Sequence, residues 1–424
     1  MARSILSKEV RKEIQRIGEV DVLVGIPSYN SARTIAHVVR AVSAGLAKYF
    51  PKHRTLLVNS DGGSTDGTQD VVKETKLEDL DMLLMEHPVY PIHKIVTPHH
   101  GMPGKGNAFR TIFTIASALN AKACAVVDSD LRSITPEWIE LLVQPVLFHS
   151  YDFVAPYYKR HKYDGTITNS IIYPLTRALY GKRIRQPIGG DFGFSGSLAR
   201  HYLQRRVYDT DVARFGIDIW MSTTAMADGF KVCQSFLGAK LHNPKDPQAD
   251  LSDMLAQVIG TVFNLMEIYQ PVWSEVTGSE PVKEFGFKFD VGLEPIRVNL
   301  ERMVDSFKHG LSNLSPVWKK VLSAGSMVQL EDVASRHVVD FHFPDPVWVK
   351  IVYDFALAYR QRKISRTHIL KSLVPLYLGW IASFVNQTME SDAGEVEERL
   401  ETLCQEFEKQ KIYLLANWDK EIKR

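Results

Sequence analysis

The 424-residue chain is poor in cysteine, in net charge and in long apolar runs, and each shortage closes off a class of protein. Its three cysteines, Cys124, Cys233 and Cys404, are far apart and odd in number; they fit neither a disulfide framework nor a zinc cluster and suggest a reducing cytoplasm. With 51 basic against 49 acidic residues the formal net charge is +2, too weak a field to gather nucleic acid or an anionic membrane. The longest apolar run, Leu373 to Val385, falls short of the roughly 20 residues that span a bilayer and reads as a buried helix. The charged N-terminus lacks the apolar region of an export signal. There is no G-x-x-x-x-G-K-[ST] phosphate loop, and no G-x-G-x-x-G opens the first helix, so P-loop and dinucleotide-binding readings lose their main support. A cytoplasmic protein without nucleic-acid or membrane partners is expected.

What is present is an ordinary globular composition, 45% hydrophobic and 24% charged, in a chain too long for one core. The first 130 residues alternate short apolar runs with helical patterns, the rhythm of an α/β fold with a mostly parallel sheet flanked by helices. Strands are expected at Val20–Pro27, Thr55–Asn59, Ile95–Thr97, Cys124–Val127 and Asp152–Tyr158. Asn30 or Ser31 can cap a helix whose Ile35, Val38, Val39, Val42 and Leu46 recur at helical spacing, and Thr135-Pro136 opens another. Past Pro247 the pattern turns helical, from Leu251, Met254, Leu255, Val258 and Ile259 to Val396, Leu400, Leu403 and Phe407. A catalytic domain over 1–248 and a helical domain over 249–424 are expected, the latter with apolar stripes broad enough for a homodimer interface.

The polar clusters fall at strand C-terminal ends, the edge where open α/β sheets bind ligands. Asp128-Ser129-Asp130 follows a buried strand, and residues two apart on an extended chain point the same way, so both carboxylates can converge on a divalent cation, or on a cation and a sugar hydroxyl. Gly101-Met102-Pro103-Gly104-Lys105-Gly106-Asn107 joins a strand to a helix, where backbone N–H groups, the helix N-terminus and Lys105 suit a phosphate. Asp61 ends the second strand beside Pro27-Ser28-Tyr29 and is placed to accept hydrogen bonds from a base or ribose, whereas Asp66 reads as a turn or cap residue.

Ile26-Pro27-Ser28-Tyr29-Asn30, Asp61-Gly62-Gly63-Ser64-Thr65-Asp66, Pro103-Gly104-Lys105-Gly106, Val127-Asp128-Ser129-Asp130 and Gln186-Pro187-Ile188-Gly189-Gly190-Asp191 occur in an order that resembles retaining GT-A glycosyltransferases. The likeness covers roughly residues 20 to 245 and is greatest to the glucosyl-3-phosphoglycerate and glucosylglycerate synthase group, and more distant to mannosylglycerate synthases. It implies the GT-A fold and transfer of a hexose, glucose first, from a UDP- or GDP-sugar with Mg²⁺ or Mn²⁺ as cofactor. It assigns the metal to Asp130 and His242, and catalytic roles to Asp130, Lys105 and Asp218. The donor falls to Pro27, Tyr29, Asn30, Asp61, Gly104, Lys105, Asp128, Ser129, Gly189 and Gly190. Thr168, Asn243 and Arg160 are left for the acceptor. An arginine that the phosphoglycerate enzymes carry two residues before the threonine is Thr166 here, and the usual glutamate is Asp191. The missing guanidinium favours D-glycerate, giving a glucosylglycerate-type compatible solute, over 3-phosphoglycerate. A sugar nucleotidyltransferase and a catalytically silent nucleotide-sugar-binding protein are the rival classes.

Overall fold

The computed structural model describes residues 6–75, 93–98, 104–241, 251–289, 291–294 and 296–420. The chain forms two compact units: Met1–Lys159, Gln186–Lys245 and Val282–Gly292 make the first, and Arg160–Arg185, Asp246–Pro281 and Leu293–Arg424 the second. The expected cut at residue 248 lies next to one crossing, yet Arg160–Arg185 and Val282–Gly292 each belong to the unit opposite to the one a single cut assigns. The reason is packing. Val282–Gly292 supplies a sheet strand, and Arg160–Arg185 supplies a helix, Tyr173–Tyr180, that is buried at every position.

The strands are β1 (Val22–Ser28), β2 (Thr55–Asp61), β3 (His93–Pro98), β4 (Ala123–Val126), β5 (Phe153–Lys159), β6 (Lys182–Arg183), β7 (Phe192–Ser195), β8 (Val232–Ala239), β9 (Glu280–Pro281) and β10 (Lys283–Phe285). Eight of them form the sheet of the first unit in the order β10-β8-β5-β7-β4-β1-β2-β3. β7 runs antiparallel to its neighbours β4 and β5, and the other pairs are parallel. All seven residues of β1 and of β2 are buried, as strands covered on both faces require.

On one face Val22, Val24 and Ile26 meet Ile35, Val38, Val39, Val42 and Leu46 of helix Ile35–Tyr49 and Ile139, Leu142 and Val143 of helix Pro136–His149. On the other face helix Lys105–Ala118 brings Ile112 against Gly25, where a Cβ would lie 2.6 Å from Ile112 Cδ1. Phe113 of that helix stacks edge-on to Phe194 at 5.3 Å. The Thr135-Pro136 start is as expected. The cap of the preceding helix is not: Thr34 occupies it, because Asn30 Oδ1 accepts the Thr65 N–H and Ser31 Oγ bonds Ser129 Oγ.

The second unit is mainly helical, with long helices Leu251–Ile268, Leu300–Val321, Ala324–Ser335, Asp345–Gln361, Arg366–Thr388 and Ala393–Trp418, and a short parallel pair of β6 and β9. Helix Arg366–Thr388 is long and apolar enough to cross a membrane by length and composition, yet 72% of its most apolar window is buried inside the protein. Arg177, 1% exposed, binds Glu401 through both terminal nitrogens and Glu408 through Nε at 2.8 Å.

Ile112→Ala removes a fully buried side chain under β1, and is expected to destabilise the protein by about 2–5 kcal/mol in urea unfolding. A loss under about 1 kcal/mol contradicts this packing.

Candidate active site

The topology sets the site. From β1 the chain builds outward through β2 and β3, then returns to lay β4 on the other side of β1, so the β1/β4 border is a switch point where a crevice opens at the strand C-terminal edge. β5 and β8 end on that edge too, and antiparallel β7 starts there. Asp128 after β4, Tyr158 near the end of β5, Asp191 just before β7 and Lys240 just after β8 are thereby brought together.

Asp128 lies between two ammonium groups. Its Oδ1 is 2.9 Å from Lys105 Nζ, and its Oδ2 is 2.8 Å from Lys240 Nζ. Lys240 also donates to Asp191 Oδ2 at 2.7 Å and to the Gly189 carbonyl at 2.8 Å. Asp191 is 0% exposed; it accepts the Asp128 backbone N–H on Oδ1 at 2.7 Å and the Tyr158 hydroxyl on Oδ2. Lys105 donates to Asp218 Oδ2 at 3.0 Å. Burial opposes ionisation of Asp128, but Lys105 and Lys240 outweigh it and hold the carboxyl well below the usual range. Burial, reinforced by the Asp128 charge, raises Asp191 and Asp218. Burial also works against the Lys105 charge, and Asp128 and Asp218 overcome it and raise its pKa.

The glycines next to this cluster are there for close approach. At Gly190, with φ of +88°, a Cβ would sit 2.3 Å from Asp128 Oδ2. At Gly104 and Gly106 it would meet the carbonyls of Ala213 and Val212 at 2.2 and 1.9 Å. The glycine loop therefore lets the start of helix Lys105–Ala118 abut residues 212–213, and this contact carries Lys105 to Asp218 in the first turn of helix Ile217–Ala227. Asp218 Oδ1 is buried and has no hydrogen-bond partner among the described residues.

The turn after β2 is pinned to the loop after β1. Asp61 accepts from Ser28 Oγ at 3.0 Å, from the N–H groups of Gly63 and Ser64 at 3.0 and 2.8 Å, from Ser64 Oγ at 2.6 Å and from Gln69 Nε2 at 2.9 Å. A carboxylate has about four acceptor sites. Asp61 thus holds the turn, and the expected hydrogen bonds to a base or ribose compete with those donors. Asp66 accepts from Ala32 N at 3.0 Å and Thr68 N at 3.1 Å, as a turn and cap residue does. Asn30, at φ +47°, donates its N–H to Ser64 Oγ at 2.8 Å. Between them Pro27 is inside β1 and Tyr29 stands 61% exposed on the rim.

Ser129 and Asp130 lie in a turn beyond β4 rather than on an extended chain, so the alternation expected to aim Asp128 and Asp130 together does not operate. Asp130 is half-buried. His242, Asn243 and Gly101–Pro103 lie outside the described residues, among which no cluster of three or more metal-ligating side chains forms. Thr168 and Arg160 belong to the helical unit. There a Cβ on Gly165 would be 3.5 Å from Arg160 Nη1 and 4.0 Å from Thr168 Oγ1, so the two side chains converge on one turn. Thr166 is hydrogen-bonded to the Tyr377 hydroxyl at 2.5 Å. Neither Lys240 nor Tyr158 is expected at the site from the sequence, where Tyr158 is read only as the end of a strand. The available signal was a lysine directly after the apolar strand Val232–Ala239.

Residues 23–206, from β1 to the helix after β7, match the family model described as Glycosyl transferase family 2. The match takes in Asp61, Lys105, Asp128, Asp130 and Asp191, and stops before Asp218, Lys240 and His242. A comparison with curated proteins gives no match. Among solved structures the chain is similar to Mycobacterium tuberculosis glucosyl-3-phosphoglycerate synthase in complex with Mn²⁺, uridine diphosphate and glucosyl-3-phosphoglycerate, with 21% identity, a TM-score of 0.44 and coverage of 62% of this chain and 86% of that one. The same enzyme in complex with Mg²⁺ and uridine diphosphate aligns at 21% identity and a TM-score of 0.43, over 60% of this chain and 82% of that one.

Two expectations follow from the geometry. Gly190→Ala is expected to cost about 2 kcal/mol or more, from left-handed strain plus the Asp128 contact. Gly229→Ala, at φ +79° with nothing within 4 Å, is expected to cost only the strain of about 1 kcal/mol. Urea midpoints of the two variants decide this, and equal losses contradict the contact.

For Asp61, burial raises the pKa but the hydrogen bonds from Ser64, Gln69 and Ser28 prevail and lower it. A lowered folded-state pKa contributes stability above the unfolded value, and that contribution is lost as pH falls through the folded value. Asp61→Asn is therefore expected to be less stable by about 1–3 kcal/mol at pH 7, with the gap closing below about pH 4. A gap constant with pH contradicts the assignment.

Proposed function

We propose that the protein is a retaining hexosyltransferase that moves glucose from a nucleoside diphosphate sugar to D-glycerate with Mg²⁺ or Mn²⁺. The observation that carries this reading is the position of Lys105, held by Asp128 and Asp218 at the switch point of a glycosyltransferase family 2 domain. Among the described residues Lys105 gives two of its three ammonium protons to carboxylates, and the third is left for the leaving diphosphate.

Charge supports the need for a cation. The cluster holds three carboxylates, Asp128, Asp191 and Asp218, against two ammonium groups, Lys105 and Lys240. A diphosphate entering beside them adds more negative charge. Asp130 and His242, an oxygen and an imidazole donor, suit Mg²⁺ or Mn²⁺, which would supply neutralisation of the leaving group. Both oxygens of Asp128 are on lysines, which keeps it from the ion and leaves its remaining lone pairs for the donor's ribose or sugar hydroxyls. The partnerless Asp218 Oδ1 is an acceptor for a further hydroxyl of the transferred sugar. Tyr29 and Asn30 bound the base side of the crevice, and Gly189 and Gly190 shape the sugar side. No residue stands out in the sequence as a covalent nucleophile, so the route we propose for retention is attack on the face the leaving group departs from, with electrostatic stabilisation of an oxocarbenium-like state.

The acceptor assignment to Arg160, Thr168 and Asn243 rests on the sequence resemblance. Thr166 is engaged by Tyr377 and brings no cation, which favours glycerate. The convergence of Arg160 with Thr168 sustains 3-phosphoglycerate as the second reading.

Incubation with UDP-, GDP- and ADP-sugars against glycerate and 3-phosphoglycerate, reading nucleoside diphosphate release, is expected to give glucose transfer to glycerate that EDTA abolishes. Asp130→Ala is expected to lower turnover by about 100-fold or more while the protein remains folded by circular dichroism. Near-normal turnover of that variant in Mn²⁺ buffer contradicts the metal assignment, and no release from any donor contradicts the whole reading.

A further inference from the structure

The two lysines beside Asp128 are not equivalent. Lys105 has a side chain 20% exposed and binds two carboxylates. Lys240 is 5% exposed and donates to three acceptors, Asp128 Oδ2, the Gly189 carbonyl and Asp191 Oδ2, at 2.8, 2.8 and 2.7 Å. An ammonium carries three protons, so all those of Lys240 are engaged within the protein. It has none for a phosphate. Beneath it Asp191 is wholly buried, and its other oxygen takes the backbone N–H of Asp128. Both the main chain and the carboxylate of Asp128 are therefore anchored on one buried aspartate, directly and through Lys240. The same ammonium fixes the Gly189–Gly190 turn, whose Gly190 has no room for a methyl group against Asp128.

We propose that Lys240 is a positioning residue for the donor sugar: standing on Asp191, it sets the separation between the Asp128 carboxylate and the Gly189–Gly190 turn without touching the donor. This rests on the donor-sugar reading above. The consequence is a separation of effects. The nucleotide and its phosphates belong to Lys105 and the loops after β1 and β2, so loss of Lys240 impairs the fit of the hexose and leaves nucleotide binding in place.

Removing Lys240 alone leaves Asp191 and Asp128 with an unbalanced charge, so Lys240→Gln destabilises the protein whatever its role. The deciding variant is the double substitution Asp191→Asn with Lys240→Gln, which removes one charge of each sign and retains amide groups that can hydrogen-bond. The probes are UDP, ADP and GDP with MnCl₂ in calorimetric titrations, melting temperature, and steady-state kinetics with the matching glucose nucleotide. The double variant is expected to recover most of the melting temperature lost in Lys240→Gln. It is expected to bind its best nucleoside diphosphate within about threefold of wild type, and to show a sugar-nucleotide KM raised about tenfold or more. Wild-type KM and kcat in the double variant overturn the proposal. So does a nucleoside diphosphate affinity that falls in step with the rise in KM, which makes Lys240 a nucleotide contact. Failure of the donor reading shows separately, as wild-type protein that binds none of the three nucleotides, and removes this proposal with it.

Discussion

A carboxylate at 0% exposure has to be paired, and the pairing of Asp191 with Lys240 is the constraint on which the site depends. Asp191 reaches the C-terminal edge of the parallel strands because β7 runs against its neighbours and so begins where they end. Lys240 reaches it from the end of β8, Asp128 from the end of β4 and Tyr158 from β5. Each strand contributes one group to a buried network that a wholly parallel sheet could not close, since Asp191 would then sit at the opposite edge. Reversal of one strand and assembly of the site are the same structural fact.

The network also decides how charge is shared. Asp128 is kept ionised by two ammonium groups, whereas burial raises Asp191 and Asp218. Lys105 stands at the boundary, between the ionised Asp128 and the buried Asp218, and it is the more exposed of the two lysines. On the proposed reading a diphosphate meets Lys105 and adds negative charge beside Asp128 and Asp218, whereas the Asp128–Lys240–Asp191 core is paired within the protein.

Much of this was legible from residue order. Every strand reading in the first 159 residues falls within two residues of its observed place, because fully buried strands announce themselves as apolar runs. Lys105 and Asp128 were found by their positions at strand ends. What escaped was tertiary. Lys240 follows an apolar strand with nothing near it in the chain, and its partners lie 49 and 112 residues away. The cap at Thr34 was missed because Asn30 and Ser31 are drawn into side-chain bonds with distant segments. The turn at Ser129-Asp130 was misread because extended geometry was carried past the last residue of β4. The single domain cut failed to anticipate β10, a three-residue strand too short to leave a pattern.

The most direct measurement is a crystal structure of the protein soaked with a nucleoside diphosphate and Mn²⁺, using anomalous scattering to find the ion. The account predicts manganese on Asp130, phosphate oxygens against Lys105, and Asp128 still held by Lys240 above a buried Asp191. Manganese bound by Asp128, with Lys240 released from Asp191 to meet the phosphate, would contradict it.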